Sequence, residues 1–191
     1  MANTPKVLLL GDSIRMSYQP LVREKLVDVA EVVGPAENCA FTLFTLARLE
    51  TWLATLGTPD VVPWNNGLHD AGHNPARSPL QIPIDIYRMT LEFILERLEE
   101  TGARIVWATT TPVHPERPMR DDQWSWTNHE IEAYNATALE LMQARGIAVN
   151  DLYAVVMRDV EENLAEDQLH LSDAGKERCA EAVAAAVRER P

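Results

Sequence analysis

Short apolar runs alternate along the chain with longer segments whose apolar residues recur at helical spacing. Short runs bounded by turn residues are typical of buried β-strands, and the helical spacing is typical of amphipathic helices. The pattern predicts strands at Lys6–Leu10, Val29–Val33, Asp60–Asn65, Arg104–Thr109 and Ile147–Asn150. It predicts helices with apolar faces formed by Leu46, Leu49, Leu53 and Leu56; by Tyr87, Leu91, Ile94 and Leu98; by Ile131, Tyr134, Ala138 and Leu141; and by Cys179, Ala182, Val183, Ala186 and Val187.

A further helix is expected after the first strand. We predict that it begins near Ser17, with Pro20 in its first turn, where a residue without an N–H costs little. Alternation of strands and helices favours a parallel sheet with helices on both faces. The 191 residues suit one domain with a full hydrophobic core. Because no repeat, low-complexity tract or linker divides the sequence, we predict a single domain over residues 1–191.

Two of the predicted connections are long, at roughly 66–81 and 110–126. Long loops in a compact α/β domain are usually either functional or disordered. Both leave from the carboxyl ends of predicted strands, and open α/β sheets bind their ligands beyond those ends. We therefore expect the functional site at this edge of the sheet.

Charge and cysteine content narrow the possible partners and the compartment. A formal net charge of -12 argues against a nucleic acid or an anionic membrane as partner, because either would be repelled. Cys39 and Cys179 belong to no metal-binding pattern and are expected to be buried thiols in a reducing compartment. No signal peptide or membrane-length apolar run is seen, which predicts a cytoplasmic protein, although a chain trimmed of its signal would look the same.

Two distant segments carry residues suited to nucleophilic catalysis. Ser13 ends the motif Gly11-Asp12-Ser13 directly after the first strand, where it either presents a hydroxyl at the ligand-binding edge or merely caps a turn. Asp167 and His170 stand just before a helix that Ser172 is expected to cap. In a turn, this spacing lets the carboxylate reach the imidazole and fix its tautomer. A serine nucleophile needs such a base, so we predict that folding brings the Ser13 hydroxyl against His170.

Three motifs together resemble the SGNH/GDSL hydrolase family: "GDS" at 11–13, "NNGLHD" at 65–70 and "DQLH" at 167–170. The resemblance implies an α/β fold, a three-layer α/β/α sandwich with a central five-stranded parallel sheet of flavodoxin-like type. It implies Ser13 as nucleophile, His170 as general base and then acid, and Asp167 as the residue that orients His170. The general α/β-hydrolase fold is disfavoured, because no G-x-S-x-G motif surrounds any serine.

The resemblance also implies an oxyanion hole. The family uses the nucleophile's own N–H, a glycine after the second strand and an asparagine of the third motif. Gly34 follows the second strand, with Asn38 and its neighbours as rivals. His69 stands where the asparagine is expected, so the donor is either a His69 ring N–H or an amide of Asn65 or Asn66. The alternative for His69 is a structural residue bonded to a loop carbonyl.

Further residues near these motifs are candidates for substrate contacts. Asp12 is more simply explained as a turn-forming residue, and the tryptophans either stack on sugar rings or pack the loops. His69, Asp70, His73 and Asp85 lack a metal-ligand spacing, and neither a metal nor a cofactor is expected. The substrate-binding candidates are Asp12, Arg15, Asn38, Asn65, Gly67, Trp124 and Trp126.

These inferences predict a serine esterase that hydrolyses a small acyl ester, most simply acetyl, on a carbohydrate through an acyl-enzyme. The predicted partner is a small-molecule ester, and the choice between monomer and homo-oligomer stays open. Two alternatives stay open as well. One is a lipase or thioesterase-type acylhydrolase, and the other is a non-catalytic carbohydrate-binding protein on the same fold.

Overall fold

The computed structural model describes residues 4–74, 80–117 and 124–189, so parts of both long connections lie outside the described residues. Five parallel strands form one sheet in the order β2-β1-β3-β4-β5. This confirms all five predicted strands, each somewhat shorter than expected. They are β1 (Lys6–Leu8), β2 (Glu31–Val33), β3 (Val61–Trp64), β4 (Arg104–Ala108) and β5 (Ala148–Asn150).

Helices cover both faces of the sheet, which confirms the three-layer α/β/α fold. Consecutive residues in β1 and directly after it point into opposite cores. Val7 and Leu9 pack with the first and last helices, and Leu8 and Leu10 pack with the helices of the other face. No helix in the described ranges is long and apolar enough to cross a membrane. The helices are α1 (Ser13–Lys25), α2 (Thr42–Leu56), α3 (Ile84–Glu100), α4 (Asn128–Ala144), α5 (Leu152–Met157), α6 (Val160–Asn163) and α7 (Asp173–Arg188).

The start of α1 corrects the prediction of a helix beginning near Ser17. Asp12 is the N-cap, and its Oδ1 accepts a 2.9 Å hydrogen bond from the Ile14 N–H. The helix therefore begins at Ser13, and Pro20 lies inside it rather than in its first turn. Pro20 and Met16 lie on the exposed face of α1, so water can bind the Met16 carbonyl that proline leaves without a donor. Ser13 is thus the first residue of a helix, where the helix dipole favours negative charge.

The last helix begins as predicted, with Ser172 as its N-cap and its Oγ accepting from the Gly175 N–H at 3.1 Å. A side chain at Gly175 would collide with the Asn163 carbonyl, so the beginning of α7 packs closely on α6. Further along, α7 lies beside α1, and Lys25 Nζ reaches Glu181 Oε2 at 3.2 Å. This packing carries the segment preceding α7 to the place where α1 begins.

Candidate active site

Ser13 and His170 meet at the carboxyl edge of the sheet. Ser13 follows β1 at the beginning of α1, and its Oγ lies 3.0 Å from Nε2 of His170. Ser13 is half-buried, so a small molecule can reach its hydroxyl. Among the residues that the structure describes, none accepts a hydrogen bond from the Ser13 backbone N–H. That N–H belongs to the first turn of α1, where the backbone N–H groups have no carbonyl acceptor within the helix.

Asp167 and His170 form a compact turn just before α7. Nδ1 of His170 lies 2.6 Å from Oδ2 of Asp167, and Oδ1 of the same carboxylate accepts from the N–H groups of Leu169 and His170 at 3.1 and 2.9 Å. Gln168, in the middle of the turn, has a left-handed φ of 70°. Partial burial raises the pKa of Asp167, but these three hydrogen bonds outweigh it and hold the pKa below its ordinary value. The carboxylate therefore stays charged and fixes the proton on Nδ1, which leaves Nε2 free to accept the Ser13 proton.

A second loop supports this turn. The His114 N–H donates to the Gln168 carbonyl at 3.0 Å. The His114 side chain is 3% exposed; its Nδ1 accepts from the N–H groups of Glu116 and Arg117, and its Nε2 lies 2.9 Å from Glu161. Since Nδ1 is an acceptor, the proton of a neutral His114 lies on Nε2. Sequence reasoning missed this support, because nothing in the motif "TTPVHP" indicates which distant turn it contacts.

Gly34, the predicted oxyanion glycine, lies directly after β2. A side chain there would collide with the Gln19 amide and approach the Leu9 carbonyl, which explains the glycine by close packing. The chain comes to the end of β1 a few residues later, where the Cys39 N–H donates to the Gly11 carbonyl at 3.2 Å. This finding favours the rival position near Asn38.

The segment 38–41 has an unusual backbone. Ala40 has a left-handed φ of 50°, and its N–H donates to Oδ1 of Asn38 at 2.7 Å. A left-handed conformation is uncommon for a residue with a side chain and marks a turn held by its surroundings. The Phe41 N–H, which follows this turn, bonds to no residue within the described ranges. Sequence reasoning missed Ala40, because alanine gives no signal of a left-handed conformation.

Asn65 and Asn66 are structural rather than oxyanion donors, which corrects both predictions. Asn66 is 1% exposed; its Nδ2 donates to the Ala40 carbonyl at 3.1 Å, and its Oδ1 accepts from Trp64 Nε1 at 2.8 Å. Asn65 is also buried, and its Nδ2 donates to the Ala108 carbonyl at 2.8 Å. Both amides are committed to holding neighbouring loops.

His69 is the remaining side-chain candidate of this motif. It is half-buried, and its ring makes an edge contact with Trp124 at a centroid distance of 5.9 Å. No residue in the described part of the chain forms a hydrogen bond with its ring nitrogens, so the alternative of a bond to a loop carbonyl finds no support. An imidazole held by an aromatic neighbour keeps its N–H available for another partner.

Asp70, the next residue, is fully buried and caps α2 from a distance. Its Oδ1 accepts from the Thr42 N–H at 3.0 Å and from the Thr42 hydroxyl at 2.6 Å. Burial raises the pKa of Asp70 to about 7, although the bonds from Thr42 act in the opposite direction. This cap ties the third motif to the first residue of α2, next to the left-handed turn at Ala40.

Trp124 and Trp126 form a stacked pair beside His69. Their ring centroids lie 5.9 Å apart with an interplanar angle of 18°, and Trp126 Nε1 donates to the Leu68 carbonyl at 2.6 Å. A side chain at Gly72 would collide with both indoles. The pair is half-buried, so it packs the two long loops together and still presents aromatic surface.

Three other substrate-binding candidates are buried, which corrects their predicted role. Asp12 is 2% exposed and serves as the N-cap of α1, as its interpretation as a turn residue expects. Arg15 is also 2% exposed and binds backbone carbonyls. A side chain at Gly67, which has a positive φ, would collide with the Thr110 hydroxyl. Asn38 is half-buried and stays a candidate.

Within the described ranges, no group of three or more His, Cys, Asp and Glu side chains is arranged to hold a metal ion. His73, one member of the sequence cluster, bonds to Glu130 at 2.8 Å instead. Asp70 is committed to Thr42.

The sequence profile of the GDSL-like lipase/acylhydrolase family matches residues 9–178. A search of curated protein sequences gave no significant match.

Several solved structures share the fold. An acetyl xylan esterase superposes with a TM-score of 0.79 at 21% identity, covering 95% of this chain and 99% of that one. A lipase/acylhydrolase from Enterococcus faecalis gives a TM-score of 0.77 at 22% identity, covering 96% and 95%. A GDSL-like lipase from Bacteroides thetaiotaomicron gives 0.74 at 14% identity, covering 96% and 88%. At these identities the likeness establishes the common fold.

Proposed function

The chain belongs to the GDSL-like lipase/acylhydrolase family and is a hydrolase of that family, and from this premise we propose that it is a serine esterase acting on a small acyl ester of a carbohydrate. The observation that carries the proposal is the relay of 3.0 Å from Ser13 Oγ to His170 and 2.6 Å from His170 to Asp167. These are hydrogen-bond distances in the order that an activated serine requires.

In the first step, Ser13 Oγ attacks the ester carbonyl carbon while Nε2 of His170 takes the hydroxyl proton. A new C–O bond forms, and the carbonyl π electrons move to the oxygen. The tetrahedral intermediate then expels the alcohol, which receives the proton from the imidazolium. Asp167 stabilises that imidazolium without taking its proton.

In the second step, water attacks the acyl-enzyme and His170 accepts the water proton. Collapse of the second tetrahedral intermediate returns the proton to Ser13 and releases the acid. The reaction needs no redox partner or group carrier.

The oxyanion of each intermediate needs donors that are already in place. The Ser13 N–H and a backbone N–H of the segment 38–41 are our candidates, with His69 as the side-chain donor. Supporting this choice, the Ser13 N–H and the His69 ring bond to no described residue, and Cys39 lies against Gly11. Asn65 and Asn66 are left out because their amides donate to other residues. Gly34 is left out because it is the later residue Cys39 whose N–H bonds to Gly11, at the end of β1.

The carbohydrate part of the proposal is supported by the polar and aromatic side chains that lie next to the third motif, "NNGLHD". His69 and the stacked indoles of Trp124 and Trp126 lie next to the third motif, and aromatic faces bind sugar rings well. The acetyl xylan esterase among the structural neighbours is named for an acetylated sugar polymer. The sequence has no long apolar segment that could line a groove for a long acyl chain, which favours a short acyl group.

Hydrolysis of p-nitrophenyl acetate by the wild type and by Ser13→Ala tests the enzyme proposal. We expect kcat/KM to fall by about 10³-fold or more in the variant, because the residual rate comes from binding and oxyanion donors alone. Ser17→Ala is the matched control, since Ser17 lies one turn further along α1 and donates to the Ile14 carbonyl at 2.7 Å. Equal rates in wild type and Ser13→Ala would contradict the proposal and favour a binding protein.

Acyl length and alcohol identity are tested separately. We expect acetyl esters to be hydrolysed faster than octanoyl esters, and acetylated oligosaccharides to give a higher kcat/KM than p-nitrophenyl acetate. A preference for octanoyl esters or acyl thioesters would instead support the lipase or thioesterase alternative.

A further inference from the structure

Arg15 is a buried cation whose hydrogen-bond partners in the described part of the chain are all neutral groups. It lies on α1 and is 2% exposed. Its Nε and Nη2 donate to the Gly11 carbonyl at 3.3 and 3.2 Å, and its Nη1 donates to Oε1 of Gln19 at 2.8 Å. Nη1 and Nη2 also donate to the carbonyls of Pro35 and Glu37, both at 3.1 Å. Within the described ranges, no carboxylate forms an ion pair with this guanidinium.

Two glycines make room for this arrangement. A Cβ at Gly11 would lie 2.7 Å from Cβ of Arg15, so the arginine stem packs directly on the backbone of the Gly-Asp-Ser motif. A side chain at Gly34 would collide with the Gln19 amide, which is the group that holds Nη1 of Arg15. Both glycines are therefore explained by one hydrogen-bonded pair, Arg15 and Gln19.

The guanidinium joins two parts of the chain that border the catalytic serine. Gly11 comes two residues before Ser13, and Pro35 and Glu37 lead into the segment 38–41. The Cys39 N–H also donates to the Gly11 carbonyl at 3.2 Å. Every change in the position of the 35–39 segment relative to Ser13 therefore strains several charge-assisted hydrogen bonds at once.

Burial of a cation without a carboxylate partner is expensive, and full hydrogen bonding offsets only part of the cost. A hydrophobic side chain would fill this space more cheaply if packing were the only requirement. Arg15 stands two residues after Ser13, and its fixed positive charge also favours the negative oxygen of a tetrahedral intermediate at that serine. The cost is explained if the cation serves the reaction.

We propose that Arg15 is a positioning residue for ester hydrolysis: its buried guanidinium fixes the 35–39 segment against the end of β1, so that the oxyanion donors of the segment 38–41 are preorganised around Ser13. The inference rests on the proposed function. It replaces the earlier prediction that Arg15 contacts the substrate.

The test compares Arg15→Lys, Arg15→Gln and the wild type on p-nitrophenyl acetate, well below each protein's melting temperature. A lysine keeps the charge but cannot reach all the carbonyls, so we expect kcat to fall about 10-fold in Arg15→Lys and about 10²-fold in Arg15→Gln. KM should change by less than about threefold, since the lost interaction acts in the transition state. Arg23→Gln is the matched control, because Arg23 lies on the same helix and donates to the Val32 carbonyl at 3.2 Å, but is exposed.

Folded Arg15 variants with wild-type kcat would overturn the proposal. A raised KM with unchanged kcat would also overturn it, because Arg15 would then act in substrate binding. Should both Arg15 variants fail to fold, Gln19→Leu takes their place, since Gln19 is only half-buried. We expect a several-fold fall in kcat for this variant, and an unchanged kcat in folded Gln19→Leu counts against the proposal.

Hydrogen exchange separates this proposal from the proposed function. In Arg15→Lys and in Gln19→Leu, the Cys39 N–H should exchange faster than in the wild type, while exchange in α4 stays unchanged. If the wild type shows no Ser13-dependent hydrolysis, the esterase proposal fails, and Arg15 then has no reaction to assist. The exchange result then decides whether Arg15 positions this segment. Unchanged exchange at Cys39 would refute that positioning as well.

Discussion

At the scale of single residues, the tautomer of His170 depends on one carboxylate. Asp167→Asn keeps the size of the side chain, but its amide can present an N–H to Nδ1 and so leave the proton on Nε2. We expect kcat to fall roughly 10³–10⁴-fold, as for the same substitution in other serine triads. Steady-state kinetics on p-nitrophenyl acetate measures this, with Asp173→Asn, an exposed neighbour in α7, as control. A fall of less than about 10-fold would show that Asp167 does not orient the base.

His69 is the residue where the sequence departs from the family pattern. If its ring donates to the oxyanion, His69→Ala should lose on the order of 10²–10³ in kcat with little change in KM. His129, an exposed residue of α4, provides the control variant His129→Ala. A His69→Ala enzyme with wild-type kcat would leave the backbone donors alone to hold the oxyanion.

Whether a contact could be predicted from the sequence depends on how far apart its two residues lie along the chain. Asp167 reaches His170 within a single turn, so their spacing alone indicated the contact. The Asn66 amide bonds to Ala40, 26 residues away, and no local pattern identifies such a partner. A polar residue in a recognised motif therefore indicates what kind of reaction the site supports. Only the fold shows which of its polar atoms already form hydrogen bonds within the protein.

At the scale of elements, the beginning of α2 depends on a buried acid. An acid whose pKa is raised in the folded state binds its proton more tightly there than in the unfolded chain. It therefore favours folding most at low pH, and this contribution is lost as the pH rises. For Asp70 the loss falls between its ordinary value of 3.8 and about 7.

Asp70→Asn tests this linkage, because asparagine can still accept the bonds from Thr42 but does not titrate. The free energy of unfolding of the wild type minus that of the variant should decrease from pH 4 to pH 7 and then level off. Urea unfolding at several pH values provides the measurement. A difference that is constant or rises with pH would contradict the raised pKa.

The elements themselves were largely predictable. Apolar runs such as that of β4 are buried on both faces of a parallel sheet, so they stand out against the amphipathic helices. The predicted beginning of α1 near Ser17 was wrong, because Pro20 suggested a first turn there, whereas the Asp12 cap starts the helix four residues earlier, at Ser13. The short helices α5 and α6 gave no periodic signal, since neither is long enough to show one.

At the scale of the whole molecule, the two cysteines lie in different cores. Cys39 packs with the α2–α4 side and Cys179 with the α1–α7 side, and both are fully buried. Burial raises the pKa of Cys179 to about 12, and burial also raises that of Cys39 despite the nearby Arg15. The reactive thiolate form is therefore scarce in the folded protein.

We expect the native protein to react negligibly with Ellman's reagent and the protein in denaturant to react at both thiols. Because each thiol lies in one of the two cores, its reactivity shows whether that core has opened. The experiment therefore tests whether the two cores unfold together. Rapid reaction of a single thiol under native conditions would show that one core opens without the other.

The relay between Ser13 and His170 joins residues 157 positions apart. During translation, Ser13 is therefore synthesised long before His170. In the proposed mechanism, a nascent or prematurely terminated chain carries a serine without its base, and hydrolysis begins only when α7 has packed beside α1. If the proposed relay is correct, ester turnover reports that both ends of the chain are present and packed together, and two inactive fragments fused to interacting proteins should regain activity when those proteins bind.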